Sequence, residues 1–253
     1  MARPRLLTAM RIALGLEYDG SSFCGWQTQP SHCAVQDAVD TALSQIAAHT
    51  VESQCAGRTD AGVHAFGQVV HFDTHSQRPL TAWVRGVNTL LPRAVAVNWA
   101  LEVPEAFHAR YSARGRAYVY LLVNRSERPA LHYTHVGWHH HNLNLDFMRE
   151  AAAHLLGTHD FSAFRSAECQ ARSPIKELRR LDIQRLGEMV VFDFAADAFL
   201  HRRSRTCRTA AGHQERRRNH SAVLYLRVDG ERVRVAWRGA GLRRHQAGHA
   251  ESR

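Results

Sequence analysis

The chain has no apolar run approaching the roughly 18 to 20 residues that a membrane-spanning helix requires, so no membrane partner is expected. The N-terminus, MARPRLLTAMRIALG, carries arginines but lacks an adequate hydrophobic core and cleavage site for a signal peptide. There is no CxxC pair. The five cysteines, Cys24, Cys33, Cys55, Cys169 and Cys207, are odd in number, and reduced thiols in a cytoplasmic protein are the expected state. An excess of basic charge is also missing from most of the chain. The formal charge is +10, but residues 202 to 253 alone hold fourteen arginines against four acids. The first 201 residues carry nineteen bases and nineteen acids, so any body site for a polyanion must be a local patch.

What is present reads as alternating strands and helices. RIALGLEY (11–18) puts Ile12, Leu14, Leu16 and Tyr18 on one face, the two-residue period of a strand. DGSSFCGWQTQPSHC (19–33) is a loop rich in Gly, Ser and Pro. AVQDAVDTALSQIAAH (34–49) places Val35, Val39, Leu43 and Ile46 at helical spacing. A short strand (51–55), a turn, a strand (68–73), a helix (81–91) and a strand (94–103) follow. The order β-α-β-β-α-β is that of a ferredoxin-like split unit. From Gly115 a second set begins: a strand in ARGRAYVYLLVN, a helix at 143–157, and a hairpin of 175–186 with 188–199 turning at Gly187. A covering helix should come next, yet LHRRSRTCRTAAGHQERRRNH has no apolar stripe.

CAGRTDAGVHAFGQVVHF (55–72) sets Arg58 two residues from Asp60 in a glycine-bounded turn. Gly57 and Gly62 allow a tight path that projects an acid, and a neighbouring guanidinium favours its ionised form. An ordinary Asp-turn with a weak surface ion pair has the same local look. The histidine run His139–His141 suits a solvated loop better than a metal, because adjacent side chains cannot all face one ion. His64 and His71 read as hydrogen-bonded structural residues.

These segments, with LEYDGSSFCGWQ (16–27), AVQDAVDTAL (34–43), GVNTLLP (86–92), FHARYSARGRAYVYLLVN (107–124) and LLGTHDFSAFR (155–165), resemble the tRNA pseudouridine synthase A family. The likeness is collinear from residue 11 to about 200. It implies isomerisation of uridine to pseudouridine in the anticodon stem-loop of tRNA, without cofactor or metal, by a cytoplasmic homodimer. It further implies that Asp60 is the catalytic nucleophile and that Arg58 partners the carboxylate or positions the RNA. Tyr118 would stack on the uracil, and its hydroxyl is the candidate acceptor of the C5 proton. Arg110, Arg114 and Arg116 would hold substrate phosphates beside that ring. Tyr18, Asp19, Gly25, Trp26 and Gln27 match the family's first loop, where cleft shaping and RNA contact are equally open.

The family continues after FLH with a helix resembling HMVRNIVG, whose arginine sits near the carboxylate, and then a final strand. Here His201 is followed by Arg202, Arg203 and Ser204, and neither element is read. The Arg-rich, lysine-free ending has the look of GC-rich DNA translated in a wrong frame; a natural RNA-binding extension is the other reading. The expected fold is α+β: two ferredoxin-like halves share a mainly antiparallel sheet, with helices on one face and a positively lined cleft between them. The expected units are residues 1–109 with the catalytic acid, 110–201 as an incomplete second half, and 202–253 as a frameshifted or disordered tail. The alternative function is a catalytically impaired RNA-binding remnant.

Overall fold

The computed structural model describes residues 9–164 and 173–199, together with the backbone of 222–225. The apolar face of RIALGLEY becomes β1 (Met10–Tyr18), buried along almost its whole length. It pairs antiparallel with β3 (His64–Thr74) on one side and β4 (Val95–Val103) on the other. Between β1 and β3 the chain forms α1 (Val35–Ala47). Asp37 accepts the Ala34 N–H at 2.9 Å at its start, and Ala48 ends it in the left-handed region. Its apolar stripe, Val35, Val39, Ala42 and Leu43, lies in one core with Ile12, Leu14, Leu16, Phe72 and Trp83. β2 is only Gln54–Cys55 and pairs with the far end of β3. β3 itself begins at His64, four residues before the alternation suggests.

The helix expected over 81–91 is split into a π-helical turn, Ala82–Gly86, and a short α2, Val87–Leu90. Trp83 and Val87 are both fully buried, and a wide turn brings this pair onto the sheet. The second half comprises β5 (Arg116–Asn124), β6 (Gly137–His139), α3 (Leu145–Ala153), β7 (Gly157–Asp160), β8 (Ile175–Leu186) and β9 (Met189–Ala196). Asn144 caps α3, accepting from the N–H groups of Asp146 and Phe147. Its core is small, with Leu145, Ala152, Ile183 and Val190 at the centre. β6 and β7 escaped the sequence reading because GWH and GTHD are too short and polar to show alternation. The histidine run is tied down by its backbone: Asn124 Nδ2 donates to the carbonyls of His139 and His141 at 3.0 and 2.6 Å.

With β10 (Ala222–Tyr225) the architecture is α+β, and the strands form one continuous, mainly antiparallel sheet in the order β4-β1-β3-β10-β5-β9-β8-β7. β10 corrects the expectation that no final strand exists. It runs parallel to β3 and antiparallel to β5, with Leu224 opposite Tyr118. VLYLRVDGERVRVAW (223–237) carries a strand pattern that in an Arg-rich context reads as chance, so the pairing is visible only in three dimensions. The expected missing cover helix and the rest of 202–253 lie outside the described residues. No helix among the described residues is long and apolar enough to cross a membrane.

A second correction concerns the thiols. Cys24 and Cys33 are disulfide-bonded, their Cα atoms 5.6 Å apart, while Cys55 is free. Neighbouring backbone explains the approach: the Cys24 N–H donates to the Cys33 carbonyl at 3.0 Å and closes the loop after β1. An odd cysteine count says nothing about one local pair.

Candidate active site

The turn between β2 and β3 carries Arg58 and Asp60, both exposed. It is held by bonds from four separate elements. Arg116 at the start of β5 donates from Nη2 to the Ala56 carbonyl at 2.7 Å. Gln68 of β3, fully buried, donates from Nε2 to the Gly57 carbonyl at 2.6 Å, and its Oε1 faces the Gly57 N–H at 3.4 Å. Tyr18 at the end of β1 shares a 2.7 Å hydrogen bond with the Thr59 hydroxyl. Trp26 of the disulfide-closed loop donates its N–H to the Thr59 carbonyl at 2.9 Å. Asp60 closes the turn itself, its carbonyl accepting from Val63 N–H at 3.2 Å. Buried polar groups need partners, and here those partners fix the residues on either side of the acid.

Gly25 and Gly62 complete the frame. Gly25 has φ +108, and a Cβ there would lie 2.8 Å from the Thr59 carbonyl oxygen and 3.3 Å from backbone atoms of Asp60 and Ala61. Gly62 has φ +79 but open space around it. The first loop therefore acts as a backbone wall against the turn, which the sequence left undecided between packing and RNA contact.

Tyr118 projects from β5 and is half-buried, its ring packed edge-on against Phe199 with centroids 4.9 Å apart. Burial pushes its phenol up to about 12; Arg116 opposes this, while Asp60 and Cys55 push the same way. Arg116, two residues before Tyr118 on β5, is the residue that bonds the Asp60 turn at Ala56. Cys55 lies beneath the same region. Burial raises its thiol to about 12, against the opposing charges of Arg58, Arg110 and Arg116. Three of the expected arginines therefore act electrostatically on one partly buried sulfur. Arg114 is exposed, and its backbone carbonyl accepts from Arg179 Nη1 at 3.0 Å. Arg116 also differs from a free phosphate contact, since its guanidinium is spent in part on Ala56.

Gln68 is the residue that sequence reasoning missed. Its signal was a lone amide inside the apolar alternation AFGQVVHF, a position where a polar side chain must have a buried partner.

A cluster of Asp19, His64 and His135 stands beside the turn, its three ligand atoms within 4.8 Å of one another. His64 Nδ1 lies 3.0 Å from Asp19 Oδ1 and His135 Nε2 3.3 Å from Oδ2. The rings stack nearly parallel, with centroids 4.2 Å apart and planes 16° apart. Imidazole lone pairs lie in the ring plane, so two stacked rings do not aim at one ion, and the geometry suits ion pairing better than metal binding. Burial pushes the Asp19 carboxyl upward, but hydrogen bonds from Ser21 and the electrostatic pull of His64 and His135 outweigh it and hold the carboxyl below its ordinary value.

Known proteins agree with this arrangement. The family model described as tRNA pseudouridine synthase matches residues 16–112 and 151–223. The tRNA pseudouridine synthase A of Thiobacillus denitrificans is 60% identical over 192 residues, covering 76% of this chain and 74% of its own. That of Methylobacillus flagellatus is 57% identical over 196 residues, covering 78% and 75%. That of Methylibium petroleiphilum is 50% identical over 236 residues, covering 92% and 91%, and so reaches well beyond residue 201. With the acid-bearing turn, the facing tyrosine and these matches together, the chain belongs to the tRNA pseudouridine synthase family.

Proposed function

We infer that the protein isomerises uridine to pseudouridine in tRNA, an isomerase reaction within one nucleotide. The C1′–N1 bond breaks, the uracil turns, C1′ bonds to C5, and the C5 proton is lost while N1 gains one. The observation that carries this reading is the 2.7 Å bond from Arg116 of β5 to the Ala56 carbonyl, which sets the Asp60 turn beside the strand that carries Tyr118. Asp60 is the nucleophile or base toward the ribose–uracil linkage. Arg58, two residues away, is the partner of the carboxylate or contacts the RNA displaced by the flipped nucleotide. Tyr118 supplies a stacking face. Its raised pKa keeps the phenol protonated at neutral pH, which makes lasting storage of the C5 proton on this oxygen unfavourable. Arg110 and Arg116 border the pocket, and Arg114 extends the basic edge.

The ends of the sheet suit two ferredoxin-like halves, 1–109 and 110–201, supported by the β4-β1-β3 order with β2 on β3. The substrate segment we assign is the anticodon stem-loop, at positions just 3′ of the anticodon, in a cytoplasmic homodimer. Relatives of 50 to 60% identity that bear the enzyme's name weigh against the impaired-remnant alternative. Tritium release from C5-labelled tRNA tests the reading, with Asp60→Asn as control. Release by the wild type and none by the variant is expected; no release from folded wild-type protein overturns it. Light scattering on the eluted protein tests the dimer.

A further inference from the structure

A column of aromatic rings runs from the interior of the first half out to its surface. Phe107 meets the buried His71 edge-on at 6.1 Å, His108 lies 4.5 Å from His71, and Tyr111 lies 4.3 Å from His108. The column then stops. Tyr111 is 76% exposed, so one face of its ring meets solvent.

The segment that displays this ring is held firmly. Arg11 donates to the carbonyls of Glu105 and Phe107 and forms a two-pronged pair with Asp73 at 2.7 Å. The Ala109 N–H donates to His71 Nδ1 at 3.2 Å, and the Ser112 N–H donates to the His108 carbonyl at 2.7 Å. Burial lowers the imidazole of His71 to about 4 and also depresses that of His108, with Arg11 and Arg110 adding to the effect at His108. The rings beneath Tyr111 are accordingly uncharged at neutral pH. Arg110 places its guanidinium 5.9 Å from the Tyr111 centroid. Arg110 follows Ala109, which packs in one cluster with Ala56 of the Asp60 turn, so this edge adjoins that turn.

We propose that Tyr111 is a stacking platform for an unpaired RNA base lying outside the uracil pocket, with Arg110 taking the adjoining phosphate. A firmly held, 76% exposed aromatic with a guanidinium 5.9 Å over its ring is the combination that single-stranded nucleic acid uses, because every base offers a π-face. This rests on the function inferred above. A base stacked there orients the loop while another nucleotide is turned into the pocket, so Tyr111 is a positioning residue for the reaction.

Binding is read by fluorescence anisotropy on Asp60→Asn protein, with a labelled anticodon stem-loop RNA and a blunt RNA duplex of equal length. Tyr111→Ala is expected to weaken the stem-loop by about 5- to 100-fold, the range for one lost base–aromatic stack. The duplex, having no free base, keeps its affinity, and Tyr111→Phe retains the tight binding of the parent. In enzyme with Asp60 intact, the loss falls on KM rather than kcat. Unchanged stem-loop affinity in Tyr111→Ala overturns the proposal, as does an equal loss for both RNAs or failure of Tyr111→Phe to rescue. Wild-type protein that binds the stem-loop through Tyr111 but releases no tritium would sink the enzymatic reading and leave the platform standing.

Discussion

Two glycines with positive φ flank Asp60 in space, and only one of them has a neighbour to collide with. Gly25→Ala would put a methyl 2.8 Å from the Thr59 carbonyl oxygen, a contact that must open by about half an ångström to reach ordinary packing. That carbonyl also accepts the Trp26 N–H, so moving it strains the bond that fixes the turn. Conformational strain at φ +108 adds about 1 to 3 kcal/mol. Gly62→Ala, at φ +79 with nothing within 4 Å, meets conformational strain alone, about 1 to 2 kcal/mol. Both variants should lower the melting temperature by about 2 to 4 °C per kcal/mol. Only Gly25→Ala should displace the carboxylate. Since a 1 Å misplacement costs about 100-fold, half of that predicts a fall in kcat/KM of about 10-fold. Tritium release and thermal denaturation on the two variants make the comparison. Equal activity losses, or a Gly25→Ala enzyme within about twofold of wild type, would refute the view that this loop walls the catalytic turn.

Gln68→Leu removes the buried amide that satisfies Gly57 and should destabilise by about 1 to 3 kcal/mol in urea denaturation while also lowering kcat. Arg116→Met loses the bond to the Ala56 carbonyl and is expected to reduce kcat/KM by about 10- to 100-fold; Arg116→Lys, a point charge without the planar fork, should recover only part in the same assay. Stability should depend on pH through His71. Its folded pKa of about 4 lies below the ordinary 6.5, so the unfolded chain takes the proton first. The contribution is full above pH 6.5 and declines as pH falls toward 4, by at most about 3 kcal/mol, with the ring's own NMR titration centred near 4. Alkylation with iodoacetamide followed by mass spectrometry should leave Cys24 and Cys33 unlabelled until a reductant is added.

The first half was legible because its elements declare themselves by period. β1 alternates cleanly, α1 carries its stripe at 3.6-residue spacing, and Asp60 sits in a motif of unusual specificity. What escaped was set by partners distant in sequence. His64–Gly67 extend β3 because β1 and β10 bond to them, and no local pattern encodes that. Gln68 and Arg116 look like a stray amide and one more basic residue until the Gly57 and Ala56 carbonyls are placed beside them. Arg114 and Arg116 have the same chemistry and sit two residues apart, yet β5 begins only at Arg116, whose guanidinium reaches the turn, while Arg114 lies outside the strand and is exposed. The apparent charge of the tail likewise concealed a four-residue strand whose role depends on its neighbours.

Because the two halves meet through Ala222–Tyr225, a segment late in the chain stitches together pieces made much earlier. Until it inserts, β3 and β5 each offer an unpaired row of amides and carbonyls over that stretch, an invitation to self-association. Synthesis halted before residue 222 would yield a protein holding Asp60 and Tyr118 on unjoined margins. Assembly of the pocket is thereby deferred until translation has passed that seam.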